Sequence, residues 1–293
     1  MVGNMIIVTG LHRSGTTFMG ELIARATSAA VINEPLNVGE GIKEAKNWYY
    51  NEDNLFTSFE QYRSSLRSLN LKYKPPIIWT RKHVYKHLIG SRSRLLLRYA
   101  RLLRLMNRDM QILVKDPFCL FLANQFLSHG DKVVVCTKEP SKYIASLKKQ
   151  QWYFNFEEFA QHMQLQNTEA FAPHGIISQN KINTLEDNAA KLWYLAFDFL
   201  LTVNAKNALF INVERLDIPE YRYLKFLQLS EYLGVKTNTI DRSYESVTKN
   251  GLIWSNRKIH DFKREFKKDI QINRTDNLLK CEELWSEYYA YFN

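Results

Sequence analysis

The chain has 293 residues, 45% hydrophobic and 24% charged, ordinary globular proportions that allow a sizeable core and exclude wholesale disorder. Its formal net charge of +10 favours anionic partners such as nucleotides, acidic glycans or a lipid surface. Cys119, Cys136 and Cys281 are odd in number and lack metal-ligand spacing, which excludes a disulfide framework and predicts reduced, buried thiols.

Met5 to Thr9 is a β-branched run bounded by Gly10, and from Thr16 apolar residues recur at Phe18, Met19, Leu22 and Ile23, which is helical spacing. The first run stops too soon for a signal peptide or a membrane span, and no later segment stays apolar long enough, so a soluble, cytoplasmic protein is expected. Ala29 to Asn33 reads as a second strand, stopped where Pro35 forces Glu34 away from helical angles. From about 39 to 109 the strand signal fades and aromatic and basic residues accumulate, predicting a helical insertion beside the sheet. Within it Arg94, Arg98, Arg101, Arg104 and Arg108 recur opposite Leu95, Leu96, Tyr99, Leu102, Leu103 and Met106. That basic amphipathic helix has three readings: leucines packed on the sheet with arginines in solvent, contact with an anionic membrane, or a groove for an acidic acceptor.

Ile112 to Val114, Val133 to Cys136 and Leu209 to Val213 read as buried parallel strands. Pro140 to Gln150, Thr184 to Lys206 and Glu220 to Leu233 supply crossover helices, Gly234 is placed to cap the last of them, and Asp276 to Phe292 gives a final amphipathic helix. The alternation predicts a single α/β domain over residues 1–293, a P-loop-like three-layer fold with a central parallel sheet.

The strongest local motif is Gly10-Leu11-His12-Arg13-Ser14-Gly15-Thr16-Thr17, directly after the first strand. Its frame matches a phosphate-binding loop, in which backbone N–H groups at a helix N-terminus surround a phosphate. Thr16 stands where a nucleotide triphosphatase has its lysine, which disfavours ATP or GTP hydrolysis. Arg13 places a guanidinium inside the loop, suited to a phosphate held by paired hydrogen bonds.

These residues resemble the 5'-phosphosulfate loop of the sulfotransferase superfamily, whose members transfer sulfonate from 3'-phosphoadenosine 5'-phosphosulfate. The resemblance implies that Arg13, Ser14, Gly15, Thr16 and Thr17 hold the donor's 5'-phosphate. It extends to Thr137-Lys138-Glu139-Pro140 and to Ser146, eight residues after Lys138, which by resemblance hold the 3'-phosphate. Lys138 replaces the family's arginine and loses its two-pronged fork. Val114-Lys115-Asp116-Pro117-Phe118 resembles an element of tyrosylprotein sulfotransferases and of related glycan and bacterial enzymes, and implies that Lys115 stabilises charge on the leaving phosphate or the transferring sulfonate.

Glu34 stands where the resembling enzymes put a general base, while Asp116 is read as a helix cap. Thr248 to Ser255 resembles a late closing segment in which Lys249 meets phosphate; Trp254 would stack on adenine or pack in the core. The implied reaction needs no metal, and adenosine 3',5'-bisphosphate is its product. The expected acceptor is a hydroxyl, on a glycan or glycolipid, with membrane contact through the 94–108 helix and no nucleic-acid partner. A P-loop nucleotide kinase or phosphotransferase, or a nucleotide-binding protein without catalysis, are the competing expectations.

Overall fold

Five runs rich in Val, Ile, Leu and Phe pair side by side in the computed structural model, which describes residues 4–75, 92–152, 156–163, 184–203, 207–250 and 276–289. They are β1 (Ile6–Gly10), β2 (Ala30–Asn33), β3 (Ile112–Lys115), β4 (Lys132–Thr137) and β5 (Ala208–Asn212). All pairings are parallel, in the order β2-β3-β1-β4-β5. The helices are α1 (Thr16–Thr27), α2 (Phe59–Arg67), α3 (Arg92–Met106), α4 (Ala123–Ser128), α5 (Pro140–Gln150), α6 (Phe156–His162), α7 (Leu185–Thr202), α8 (Pro219–Leu233), α9 (Thr237–Asn250) and α10 (Asp276–Glu287).

A parallel sheet is covered on both faces, and its side chains alternate between them. Ile6, Val8, Leu113, Val134 and Ile211 join one core with α1, α8 and α9. Ile7, Ile32, Val114, Val135 and Phe210 join the other, with Tyr143 of α5, Trp193 and Phe197 of α7, Trp285 of α10, and aromatic residues between 42 and 73. Burying each large apolar side chain contributes about 1.5–3 kcal/mol, so two continuous cores hold the sheet against the chain's entropy. Strand ends fall within a residue of the expected ones, and α5 coincides with its expected span because Pro140 fixes its first turn. Gly234, at φ 74°, ends α8 in the left-handed conformation that glycine adopts without strain.

Three expectations are corrected. Among the described residues, the stretch from 39 to 109 is less helical than expected: it holds α2 and α3, and the chain from 39 to 58 is irregular. Buried aromatics pin that chain, with the Tyr50 hydroxyl accepting from the Lys46 and Asn47 amides at 2.8 and 3.0 Å. Second, α9 was not anticipated, because it buries only a short line of residues, Ile240, Ser243 and Val247, too few to register as a period.

Third, α3 sits the other way round from the first reading of its pattern. Arg94 donates to the Tyr73 carbonyl at 2.9 Å, Arg101 to Leu69 at 2.8 Å and Arg104 to Met110 at 2.6 Å. Leu97 and Ala100 are buried, whereas Leu95, Tyr99, Leu102, Leu105 and Met106 are exposed. Irregular chain on both sides of the helix leaves carbonyls that need donors, and a guanidinium supplies several at once. No helix among the described residues is long and apolar enough to cross a membrane. Cys119, Cys136 and Cys281 are buried and free of disulfides.

Candidate functional site

The carboxyl ends of β1, β3, β4 and β5 converge beside the Gly10–Gly15 loop, where ligands of open α/β sheets bind. The loop is tight for stated reasons. Gly10 adopts φ 143°, and a Cβ there would come within 2.3 Å of the Cys136 carbonyl oxygen. Gly15, at φ 94°, lies against Val213, 2.8 Å from where a Cβ would be. Arg13 is also left-handed, at φ 72°, a strained state for a side-chain-bearing residue. The Ser14 hydroxyl and amide both donate to the Leu11 carbonyl, at 2.5 and 3.0 Å, closing the turn. The amides of Gly15, Thr16 and Thr17 then open α1 with no acceptor among the described residues, the usual state of a helix N-terminus ready for an anion.

Two distant segments reach this loop. Arg13 Nε donates to Ser146 Oγ on α5 at 3.2 Å, and Lys138 Nζ donates to the Arg13 carbonyl at 3.3 Å. Lys138 is buried and forms an ion pair with Glu214 at 2.9 Å. Burial lowers its pKa, and repulsion from Arg13 and Lys142 adds to that, against the attraction of Glu214. Glu214 also lies 3.8 Å from Lys142. Its position follows from register: Thr137 pairs with Asn212, so residues just beyond those two strand ends face each other. Thr137 Oγ1 and Asn212 Nδ2 are buried there without a hydrogen-bond partner. Thr137 also lines a narrow cavity, walled by Ser14, Lys138, Trp193, Phe197 and Trp285.

On the other side of β1, Lys115 and Glu34 form an ion pair. Register again accounts for it, since Asn33 pairs with Lys115 and the Glu34 amide donates to the Lys115 carbonyl at 2.7 Å. Glu34 sits at φ 47°, a strained left-handed state, and its second carboxylate oxygen accepts from Asn37 Nδ2 at 2.7 Å. The Lys115 stem lies under α1 at Gly20, where a Cβ would stand 2.7 Å from Lys115 Cγ. Asp116 is the cap it was expected to be. Its carboxylate accepts from the Phe118 amide at 2.9 Å, opening the turn Pro117–Leu122, and from the Leu36 amide at 2.7 Å. Burial pushes its pKa up to about 7, with Glu34 adding to the rise and the two amides and Lys115 opposing it.

Sequence reasoning missed a polar and aromatic nest around His12. His12 Nδ1 lies 2.6 Å from the Tyr49 hydroxyl and Nε2 lies 3.4 Å from that of Tyr143, with Trp48 edge-on at 4.9 Å. Burial, helped by Arg13, drops the His12 pKa to about 3, so the imidazole is neutral. Trp152 covers the opening, 5.8 Å from His12 and 5.9 Å from the Arg13 guanidinium. The signal available was a histidine inside a glycine loop; its tyrosine partners are too distant in sequence to be paired with it.

The structure thus brings Arg13, Ser14, Gly15, Thr16, Thr17, Lys138 and Ser146 to one loop, and Lys115 with Glu34 beside it. It does not bring Lys249 there. That residue ends α9, 74% exposed and paired with Glu245 at 3.3 Å. One turn earlier Ser246 accepts from Arg25, in the last turn of α1, at 2.7 Å. Gly251 to Ser255, including Trp254, lies outside the described residues.

No protein-family model matches the chain, and no curated protein matches its sequence. Among solved structures it is similar to a sulfotransferase domain from the olefin synthase of Synechococcus PCC 7002. The likeness covers 97% of this chain and 94% of that one, at 12% identity and a TM-score of 0.43.

Proposed function

We propose that the chain is a sulfotransferase that moves a sulfonate group from 3'-phosphoadenosine 5'-phosphosulfate to an acceptor hydroxyl. The observation that carries this reading is the meeting of three motif residues at one loop: Arg13 on Ser146 at 3.2 Å and Lys138 on Arg13 at 3.3 Å. The donor's phosphate groups need cations and hydroxyls around them, and these segments bring Arg13, Lys138 and Ser146 together at one loop. In this reading the amides of Gly15, Thr16 and Thr17, with Arg13 and Ser14, take the 5'-phosphosulfate, while Lys138 and Ser146 face the ribose 3'-phosphate.

The acceptor oxygen attacks sulfur in line, and the bond from sulfur to the phosphate oxygen breaks. The electron pair leaves with adenosine 3',5'-bisphosphate, and the acceptor's proton passes to the Glu34 carboxylate. Lys115 and Arg13 balance the charge that builds on the leaving phosphate. Those fixed cations do the work a metal would otherwise do, so turnover is independent of divalent ions. The acceptor belongs to a glycan or glycolipid, in keeping with the basic chain. The outward apolar stripe of α3, beside exposed Arg98 and Arg108, supports peripheral contact with an anionic membrane. Three buried, unlinked thiols support a reducing cytoplasmic setting.

Calorimetric titration tests the reading. Micromolar binding of adenosine 3',5'-bisphosphate is expected, none of ATP with magnesium, and no loss of transfer on adding chelator. Tight binding of ATP with magnesium and none of the bisphosphate would identify a kinase instead.

A further inference from the structure

Beyond the end of β5, the turn Val213–Asp217 and the start of α8 hold a group of charges that the proposed reaction does not use. The Arg215 guanidinium lies between two tyrosine rings, 4.5 Å from the centre of Tyr221 and 4.9 Å from that of Tyr289. Lys225 Nζ lies 5.6 Å from the same Tyr221 ring, and the residue is only 7% exposed. Two cations therefore share one aromatic ring, and among the described residues neither side chain has a carboxylate or carbonyl partner. Glu214, the adjacent acid, is taken by Lys138 and Lys142.

Such an arrangement is costly when empty. Buried lysines are paired in most proteins, because an uncompensated ammonium loses its hydration. Burial here, with repulsion from Arg215 added, lowers the Lys225 pKa to about 8. Contact with two rings also holds the guanidinium in place, and its N–H groups remain for an oxyanion. The Tyr221 hydroxyl accepts from the Asn212 amide at 2.8 Å, which holds the ring in place.

We propose that Arg215 and Lys225 form a second anion site that binds a phosphate or sulfate monoester. The source is a separate phosphorylated or sulfated molecule or, if the donor's ribose phosphate sits here and not at Lys138 and Ser146, the donor itself; the recognising chemistry is the same for both. The site stands independently of the sulfotransferase reading, because its geometry involves neither Lys115 nor the loop.

The test follows modification of Lys225 by an amine reagent, read by mass spectrometry, with inorganic phosphate as the probe. Phosphate at tens of millimolar slows labelling of Lys225 selectively, and Arg215→Gln weakens that protection about tenfold. Lys225→Met removes one of two repelling cations, so it raises the melting temperature without phosphate and abolishes the rise that phosphate causes in the wild type. Adenosine 3',5'-bisphosphate and adenosine 5'-monophosphate are the further arms. Protection at far lower concentration by the bisphosphate alone assigns the site to the donor; equal protection by the monophosphate and inorganic phosphate assigns it to a separate ligand. Absence of phosphate protection, or a lowered melting temperature for Lys225→Met, overturns the proposal. Protection by phosphate in a protein that binds no bisphosphate would leave this site standing and remove the sulfotransferase reading.

Discussion

Asp116 shows how one buried carboxyl ties the site to the fold. It joins the Leu36 amide, just past Glu34, to the Phe118 amide, so the strand ends carrying Glu34 and Lys115 are held at one point. Burial raises its pKa from 3.8 to about 7, which means the folded protein binds a proton more tightly than the unfolded chain. That contribution is full below the unfolded value and is lost as pH rises through the folded one. Wild type is therefore expected to lose stability between these two values relative to Asp116→Asn, whose own baseline is lower because its NH2 group would face one of the two backbone N–H groups and cannot accept. Urea unfolding midpoints measured across that range check it, and parallel profiles for the two proteins would contradict it. His12 is the complementary case, a neutral imidazole held between two tyrosines.

At the scale of elements, the packing of α1 on β3 decides where Lys115 goes. Gly20 in mid-helix looks like a weakness, since alanine is better there by about 1 kcal/mol on helix propensity alone. A Cβ at Gly20 would meet Lys115 Cγ at 2.7 Å and Cβ at 3.1 Å, near the backbone where the lysine cannot swing aside. Overpacking of that kind costs about 1–3 kcal/mol, so it outweighs propensity. Gly20→Ala is expected to lower the urea midpoint, and a gain in stability would show that the helix and strand can part without loss. In α3 Arg94, Arg101 and Arg104 are spent on the carbonyls of Tyr73, Leu69 and Met110, while Leu95, Leu102 and Leu105 lie outside. Helical periodicity defines two faces of such a segment but does not say which of them the rest of the chain will need.

At the scale of the whole molecule, the candidate site draws on all five strand ends and on α5, so it exists only when the sheet is assembled. A ligand of that site binds the folded state alone and stabilises it by mass action, about 2.7 kcal/mol at a hundredfold excess over Kd. Adenosine 3',5'-bisphosphate is therefore expected to raise the melting temperature in proportion to the logarithm of its concentration. Arg13→Ala should remove most of that shift, and an undiminished shift would place the ligand elsewhere.

By itself the sequence determined the strands, the glycine loop, α5 and the caps at Gly234 and Asp116, because each is set by neighbours in the chain: β-branched runs, proline at a helix start, glycine where φ must be positive. The motif residues Arg13, Lys115 and Lys138 could be singled out for the same reason, each lying at or just past the end of a strand. Only the tertiary structure decided that Lys115 pairs with Glu34 and Lys138 with Glu214, since these partners come from strand order and register across long stretches of chain. It alone decided the orientation of α3, the nest around His12 and the Arg215–Lys225 pair. Each of those depends on which surfaces meet, and local periodicity carries no information about what lies opposite.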